Sequence, residues 1–418
     1  MVGEPNRRQV LGGIGVTGTF SLAGCLDALD AGDGNGNGDD NGDADAMVGV
    51  LQPESGDLGD LGTPIADAAE LPAIQLADEG VDFEIDIRRE DTETTPDVGV
   101  SRAEALLDAG YPAVTGAAAS DVTITCAEDV WYDNEVVAIS PASTSPDITD
   151  MPGDYLLRTA PSDEWQGDAM AEIAVEQEGA ESIATMYLNN DYGQGLNDVF
   201  VAGCEDRGAE VLEEVPFEPE QASYDSELES TVGEEPDLLM VVGYPESGQV
   251  IFRDFYSDFD DGTTILVPDG LIDSSLPGQV DNPMENVMGT APGAGGDGAD
   301  HFTDLYEEEY DSSPSVFNAQ AYDATAVLIL ATLAAGEIDG AAIAEHVREV
   351  ANPDGEEVTP ENLGEGLEMA ANGDEIQYRG ASGPVEFDDN GDQVAVTYEI
   401  GRYHEDGYDV EETVEYEA

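Results

Sequence analysis

The sequence predicts an α/β protein whose parallel sheets are doubly wound and divided between two lobes. Three observations predict it. Short apolar runs recur along the chain with helix-length segments between them. The 418 residues are enough for two domains, each with a substantial core. The runs end in loops rich in small, hydroxylated or aromatic residues, and open α/β sheets bind ligands outside the carboxyl ends of their strands.

Residues 47–51 read as the first buried strand. The loop 56–62 follows, and Thr63 is expected to cap a helix with Pro64 in its first turn. Pro72 should kink that helix. Further strand-like runs fall at 83–87, 113–116, 136–140, 182–188, 238–243 and 264–268. After the run at 113–116 comes Ala117-Ala118-Ala119-Ser120, and after that at 136–140 comes Pro141-Ala142-Ser143-Thr144-Ser145-Pro146. Small residues, hydroxyls and backbone amides near helix starts suit a carboxylate. The later loops carry Tyr192, Tyr244 and the turn Pro268-Asp269-Gly270. Together they offer what a zwitterion needs: neutral donors for its carboxylate, an anion for its ammonium, and apolar walls. Each residue also has a plainer reading. Ser120 reads as a helix cap, Ser143 and Thr144 as turn hydroxyls, Tyr192 and Tyr244 as half-buried loop aromatics, and Asp269 as a turn residue.

The chain carries 95 acidic residues against 11 basic ones, all arginine, for a net charge of −84. Its apolar runs are too regular for that acidity to mean disorder. Such a fold repels itself in dilute buffer, but at molar salt the Debye length is roughly 3 Å. The composition is that of a halophile's protein. Without clustered bases it gives no footing to nucleic acid or anionic headgroups. Cys126 and Cys204 sit in separate helical segments and read as buried thiols. His301, His346 and His404 are too scattered to form a metal cluster, and nothing calls for a metal or another cofactor.

The first residues read as an address. Arg7-Arg8 precedes an apolar, glycine-rich run over 10–23, too short to span a bilayer. The run ends in Leu22-Ala23-Gly24-Cys25, which resembles the lipobox of bacterial and archaeal lipoproteins. Residues 1–24 are therefore expected to be a twin-arginine signal peptide, with Cys25 as the lipidated residue at the outer face of the cell membrane. Residues 25–46, mostly Asp, Gly, Asn and Ala, form a flexible acidic linker.

From Val114 to Gly167 the sequence resembles the branched-chain amino-acid-binding family of type I periplasmic binding proteins. The matching text is Val114-Thr115-Gly116 through Ser120 and Thr123, then residues 139–146, Leu157-Arg158-Thr159-Ala160, Asp163 and Gln166-Gly167. Ser55-Gly56 with Leu61-Gly62, residues 191–195, 243–249 and 321–324, and Gly383-Pro384-Val385-Glu386-Phe387-Asp388 extend it in order over nearly the whole mature chain. The resemblance implies two Rossmann-like lobes joined by a multi-strand hinge. Lobe 1 is expected over 47–161 plus 291–385 and lobe 2 over 162–290 plus 386–418, with the last crossing between about 375 and 395 by the usual boundary error.

It also implies roles. Ser120, Ala142 and Thr144, with neighbouring Ser143, would hold a ligand carboxylate; Tyr192 and Tyr244 would close over it from lobe 2. Asp269 would take the ammonium, where the family more often has glutamate. Leu61 stands where the family has an aromatic wall, and Phe317 matches a second apolar wall. The implied protein is the monomeric, lipid-anchored substrate-binding component of an ABC importer, delivering a small amino acid to a membrane permease. A receptor of the same fold for an amide, urea or small carboxylate is the alternative, as is a ligand sensor. A hydrolase is disfavoured, because no serine sits in a nucleophile elbow and no histidine neighbours a candidate nucleophile.

Overall fold

The computed structural model describes residues 44–417. The expected signal peptide, Cys25 and nearly all of the expected acidic linker lie outside them. The first sheet has the strand order β2-β1-β3-β4-β5, built from β1 (Ala46–Gln52), β2 (Ile85–Asp91), β3 (Ala113–Gly116), β4 (Val137–Ser140) and β5 (Leu156–Arg158). All its pairings are parallel. Parallel strands need crossovers, which α1 (Gly59–Glu79), α2 (Pro96–Asp108) and α3 (Ser120–Cys126) provide. Because helices cover both faces, β1, β3 and β4 are buried along their whole lengths. Helix Asn318–Ala335 packs on this sheet and on α1. It is apolar nearly all round and accordingly lies inside. Among the described residues, no single helix is long and apolar enough to cross a membrane.

The second sheet runs β14 (Gly407–Glu417), β13 (Ala395–His404), β10 (Val287–Pro292), β9 (Thr264–Val267), β8 (Leu238–Val242), β6 (Ser182–Leu188), β7 (Glu210–Phe217), while β11 (Glu356–Val358) and β12 (Ile376–Tyr378) pair in a small sheet of their own. The parallel part of the second sheet comprises β6, β7, β8, β9 and β10. Helices α4 (Asp163–Glu172), α5 (Asp191–Asp206), α6 (Asp225–Val232) and α7 (Pro245–Asp254) alternate with those strands. The predicted doubly wound α/β architecture in two lobes is what the chain adopts. One departure is that β13 (Ala395–His404) and β14 (Gly407–Glu417) add an antiparallel hairpin at the β10 edge.

Local expectations met mixed outcomes. β6 occupies the run read from the sequence, whereas β2 starts two residues later than expected and extends through Arg88 to Asp91. The first helix begins at Gly59, so Thr63 lies inside it and caps nothing; Pro64 and Pro72 are both helical. Cys126 and Cys204 are free and buried, and burial pushes each thiol up to about 12.

The chain passes from the first sheet to the second after β5, returns after β10, and crosses again before β13. Arg158, at the end of β5, is fully buried beside these passages. Its guanidinium meets Asp392 at 2.5 Å, Thr149 at 2.8 Å and the Ser145 carbonyl at 2.9 Å. Gly391 lets the 388–392 turn come this close, since a Cβ there would lie 2.6 Å from the Leu156 carbonyl oxygen.

Candidate functional site

The carboxyl ends of the strands in the two sheets face each other across a cleft, and seven of the nine expected residues line a cavity there. This cavity, with about 310 Å³ of empty space, its open mouth included, takes Ser120, Ala142 and Leu61 from the first lobe. Tyr192, Tyr244 and Asp269 line it from the second, and Phe317 closes a side. Leu58, Ile65, Ala118 and Gly270 also line it; the sequence reading named the last two only as members of their loops and gave the first two no role. All four are apolar or lack a side chain, so no chemistry marked them out.

Each polar group is placed by the element that ends beside it. Ser120 opens α3 directly after β3; its Oγ accepts from the Ser145 N–H at 3.2 Å, tying together the two first-lobe loops. The N-cap position belongs to Ala119. The first amides of a helix lack intrahelical partners, which leaves donors at this wall. Across the cleft, Tyr192 in the first turn of α5 and Tyr244 just before α7 stack with ring centroids 5.5 Å apart and planes 3° from parallel.

The Tyr192 hydroxyl donates to Asp269 Oδ1 at 2.9 Å. Asp269 follows β9 and is 2% exposed. Burial pushes its carboxyl up to about 6, against the opposing pull of Tyr192, the Gly270 N–H and Gln166. These three are neutral donors, so a carboxylate here has hydrogen bonds but no cation of its own. Phe317 adopts φ +65°, a left-handed conformation rare for a bulky side chain.

Two expected residues do not line the cavity. Ser143 points inward, where its hydroxyl lies within hydrogen-bond distance of the Ala117 and Ala118 carbonyls and of Thr123 Oγ1. Thr144 donates its hydroxyl proton to Asp163 Oδ2 at 2.9 Å. That proton is therefore not offered to a ligand carboxylate, and the turn-hydroxyl reading fits both side chains. Asp163, which the sequence reading used only as a motif position, is fully buried, and its Oδ1 has no partner. Burial, and after it the charge of Asp269, hold Asp163 well above the ordinary carboxylate range.

Leu61 and Phe317 also border a wider, more open part of the cleft, lined further by Asp60, Asp273, Gln320 and Glu399. Ser120, the two stacked tyrosines and the buried Asp269 converge from both lobes on the smaller cavity, which makes it the candidate site. No group of three or more histidine, cysteine or acidic residues able to hold a metal occurs among the described residues.

This arrangement can hold a small molecule bearing a cation at one end and hydrogen-bond acceptors at the other, and it lacks a nucleophile–base pair. The chain is similar to a chemotactic signal transduction substrate-binding protein, BasB, of Halobacterium salinarum, at 27% identity over 81% of this chain and 83% of that protein. Among solved structures it resembles a leucine-binding protein of Thermotoga maritima, with a TM-score of 0.75, 24% identity, and coverage of 88% and 98%. A branched-chain amino acid transporter substrate-binding protein of Streptococcus pneumoniae, in complex with isoleucine, gives a TM-score of 0.73 at 21% identity, covering 89% and 99%. All three are described as binding proteins. A periplasmic binding protein model matches residues 46–407, well over half the sequence, and the chain belongs to that family.

Proposed function

We propose that the protein is the extracellular substrate-binding component of an ABC importer and that its ligand is a small amino acid, branched-chain or related. The observation carrying this reading is Asp269: a buried carboxyl, hydrogen-bonded only to neutral donors, at one end of a small cavity with apolar walls. A ligand ammonium supplies the missing counter-charge, and Ser120 with the nearby helix-start amides receives the carboxylate. Tyr192 and Tyr244 close over the ligand from the second lobe. Closure excludes water and gives the Asp269–ammonium contact more strength than an exposed pair has. Leu61 and Phe317 then meet the ligand side chain. The relatives that bind leucine and isoleucine agree with this ligand class.

The same reading places the protein on the outer face of the cell membrane as a monomer. It would be exported through its twin arginines, anchored by lipid at Cys25, and bathed in concentrated salt that screens its −84 charge. The test is to purify the protein from its native salt, denature it, and identify released small molecules by mass spectrometry. An aliphatic amino acid in stoichiometric amount supports the reading; an amide, urea or carboxylate without an ammonium group contradicts it.

A second role is favoured by the similarity to BasB: the same closed, ligand-loaded form reporting to a chemotaxis partner. Deleting the gene distinguishes the two, since transport predicts lost uptake and sensing predicts lost attraction with uptake intact.

A further inference from the structure

Helix α7 begins in the cleft without a cap of its own. Its N-cap residue is Tyr244, whose side chain makes no capping hydrogen bond and instead lines the ligand cavity. The third helical residue, Ser247, has its N–H where an N-cap side chain ordinarily accepts it. That N–H donates at 2.9 Å to Oδ1 of Asp57, which belongs to the first lobe. The Ser247 hydroxyl donates to the same oxygen at 2.7 Å. The Glu246 N–H approaches the Asp57 carbonyl at 3.4 Å. Asp57 is 4% exposed and lies in the loop between β1 and α1.

We infer that Asp57 is a closure latch: a first-lobe carboxylate that caps a second-lobe helix in trans and sets how long the cleft stays shut, without touching the ligand. The two sides of the latch are built into the ligand site. Leu58 follows Asp57 and Tyr244 precedes Ser247 by three residues, and both line the cavity. Seating a ligand against Leu58 and Tyr244 therefore brings cap and helix into register, and opening the cleft leaves both the carboxylate and the helix start to water. The latch is a weak one. Closing it buries Asp57 near Glu246 and Glu220, which disfavours the charged form. Asp57 is thus a positioning residue that acts through α7, and it goes beyond the ligand assignment above while sharing the same cleft.

The test compares the full chain with Asp57→Ala and Asp57→Asn in molar salt. L-Leucine dissociation is followed by stopped flow, and backbone amide exchange by mass spectrometry with and without that amino acid. Loss of a helix cap in Asp57→Ala corresponds to roughly two- to thirtyfold weaker binding. The loss should appear as faster dissociation with little change in association, because the latch forms after the ligand has docked. Asp57→Asn keeps an acceptor and should recover most of it. Exchange in Asp57→Ala should accelerate both at 244–250 and at the cleft-facing start of α3, residues 120–124, which Asp57 does not touch. Unchanged dissociation, or faster exchange confined to 244–250, overturns the latch and leaves Asp57 a local cap. Should L-leucine bind neither the wild type nor the variants, the ligand assignment fails, and the exchange comparison alone decides the latch.

Discussion

The Tyr192 hydroxyl donates to Asp269 Oδ1 across 2.9 Å while its ring lies stacked on Tyr244. One side chain thus aims the buried carboxylate and forms part of the aromatic wall above it. Removing the hydroxyl in Tyr192→Phe leaves the stack but strips a donor from Asp269. Net hydrogen-bond contributions of about 1 kcal/mol, more beside a charge, predict ligand binding weakened about five- to twentyfold with little change in thermal stability. Calorimetric titration beside a melting curve checks both.

Binding should depend on pH in one direction. Burial holds the Asp269 carboxyl at about 6, and Asp163 is raised beside it. A ligand ammonium favours the ionised form and lowers that value, so the loaded protein holds fewer protons than the empty one. Binding therefore releases protons, and affinity is full above neutrality and falls as pH drops through 6 towards the ordinary carboxylate range near 4. The two carboxyls titrate as a pair, so the fall reports on both. Titration in buffers of differing ionisation enthalpy counts the protons released. Affinity that rises on acidification would contradict the sign.

Salt should strengthen binding. Asp121 of the first lobe is pushed up to about 6 by burial, with the charge of Asp191 in the second lobe adding to the shift. Asp191 is raised in turn by burial and by the charges of Asp147 and Glu128 across the cleft. Closing the lobes brings these like charges together, and salt screens that repulsion more than it screens the buried ammonium contact. Ligand affinity is expected to rise about tenfold between roughly 0.2 and 2 M salt, with the closed form favoured. Measuring Kd along a potassium chloride series is sufficient.

The apolar walls should set side-chain preference. Truncating Leu61 or Phe317 to alanine removes surface that a branched ligand buries, at about 25 cal/mol per Å². Leucine binding is expected to weaken about tenfold and alanine binding about twofold or less. Competition between the two amino acids reads the ratio directly.

Arg158 should matter for stability rather than for contact with the ligand. It is fully buried, and its guanidinium joins Asp392 to the carbonyls of the Ser143–Ser145 loop. Arg158→Ala strands these acceptors and a buried carboxylate, with an expected loss of about 3 kcal/mol in denaturant unfolding.

Most parallel strands buried on both faces were legible because their apolar runs are continuous, as at Ser182–Leu188 and Leu238–Val242, but the equally buried β10 was not, its run being broken by Gly289 and Thr290. Edge strands were not. β7 carries Glu210, Glu213 and Glu214, and β14 alternates acids with apolar residues, so an acidic surface hid their strand character. β2 was read as 83–87, because the charged residues Arg88 to Asp91 at its end carry no apolar signal. In the site, residues at strand ends were found by position, and Tyr192, Tyr244 and Asp269 do converge. Asp57 and Asp163 act through partners 190 and 19 residues away, Ser247 and Thr144, and no local pattern announces such pairings.

The most direct measurement is calorimetric titration of the purified protein at molar salt with aliphatic amino acids and with the matching carboxylic acids lacking the amino group, in the wild type and Asp269→Ala. An Asp269 that holds an ammonium predicts tight binding of an amino acid, failure of its deaminated analogue, and a loss of at least about thirtyfold in the variant, the scale of breaking a buried charged contact. Equal binding of the two ligand classes, or an affinity unchanged by Asp269→Ala, would contradict it.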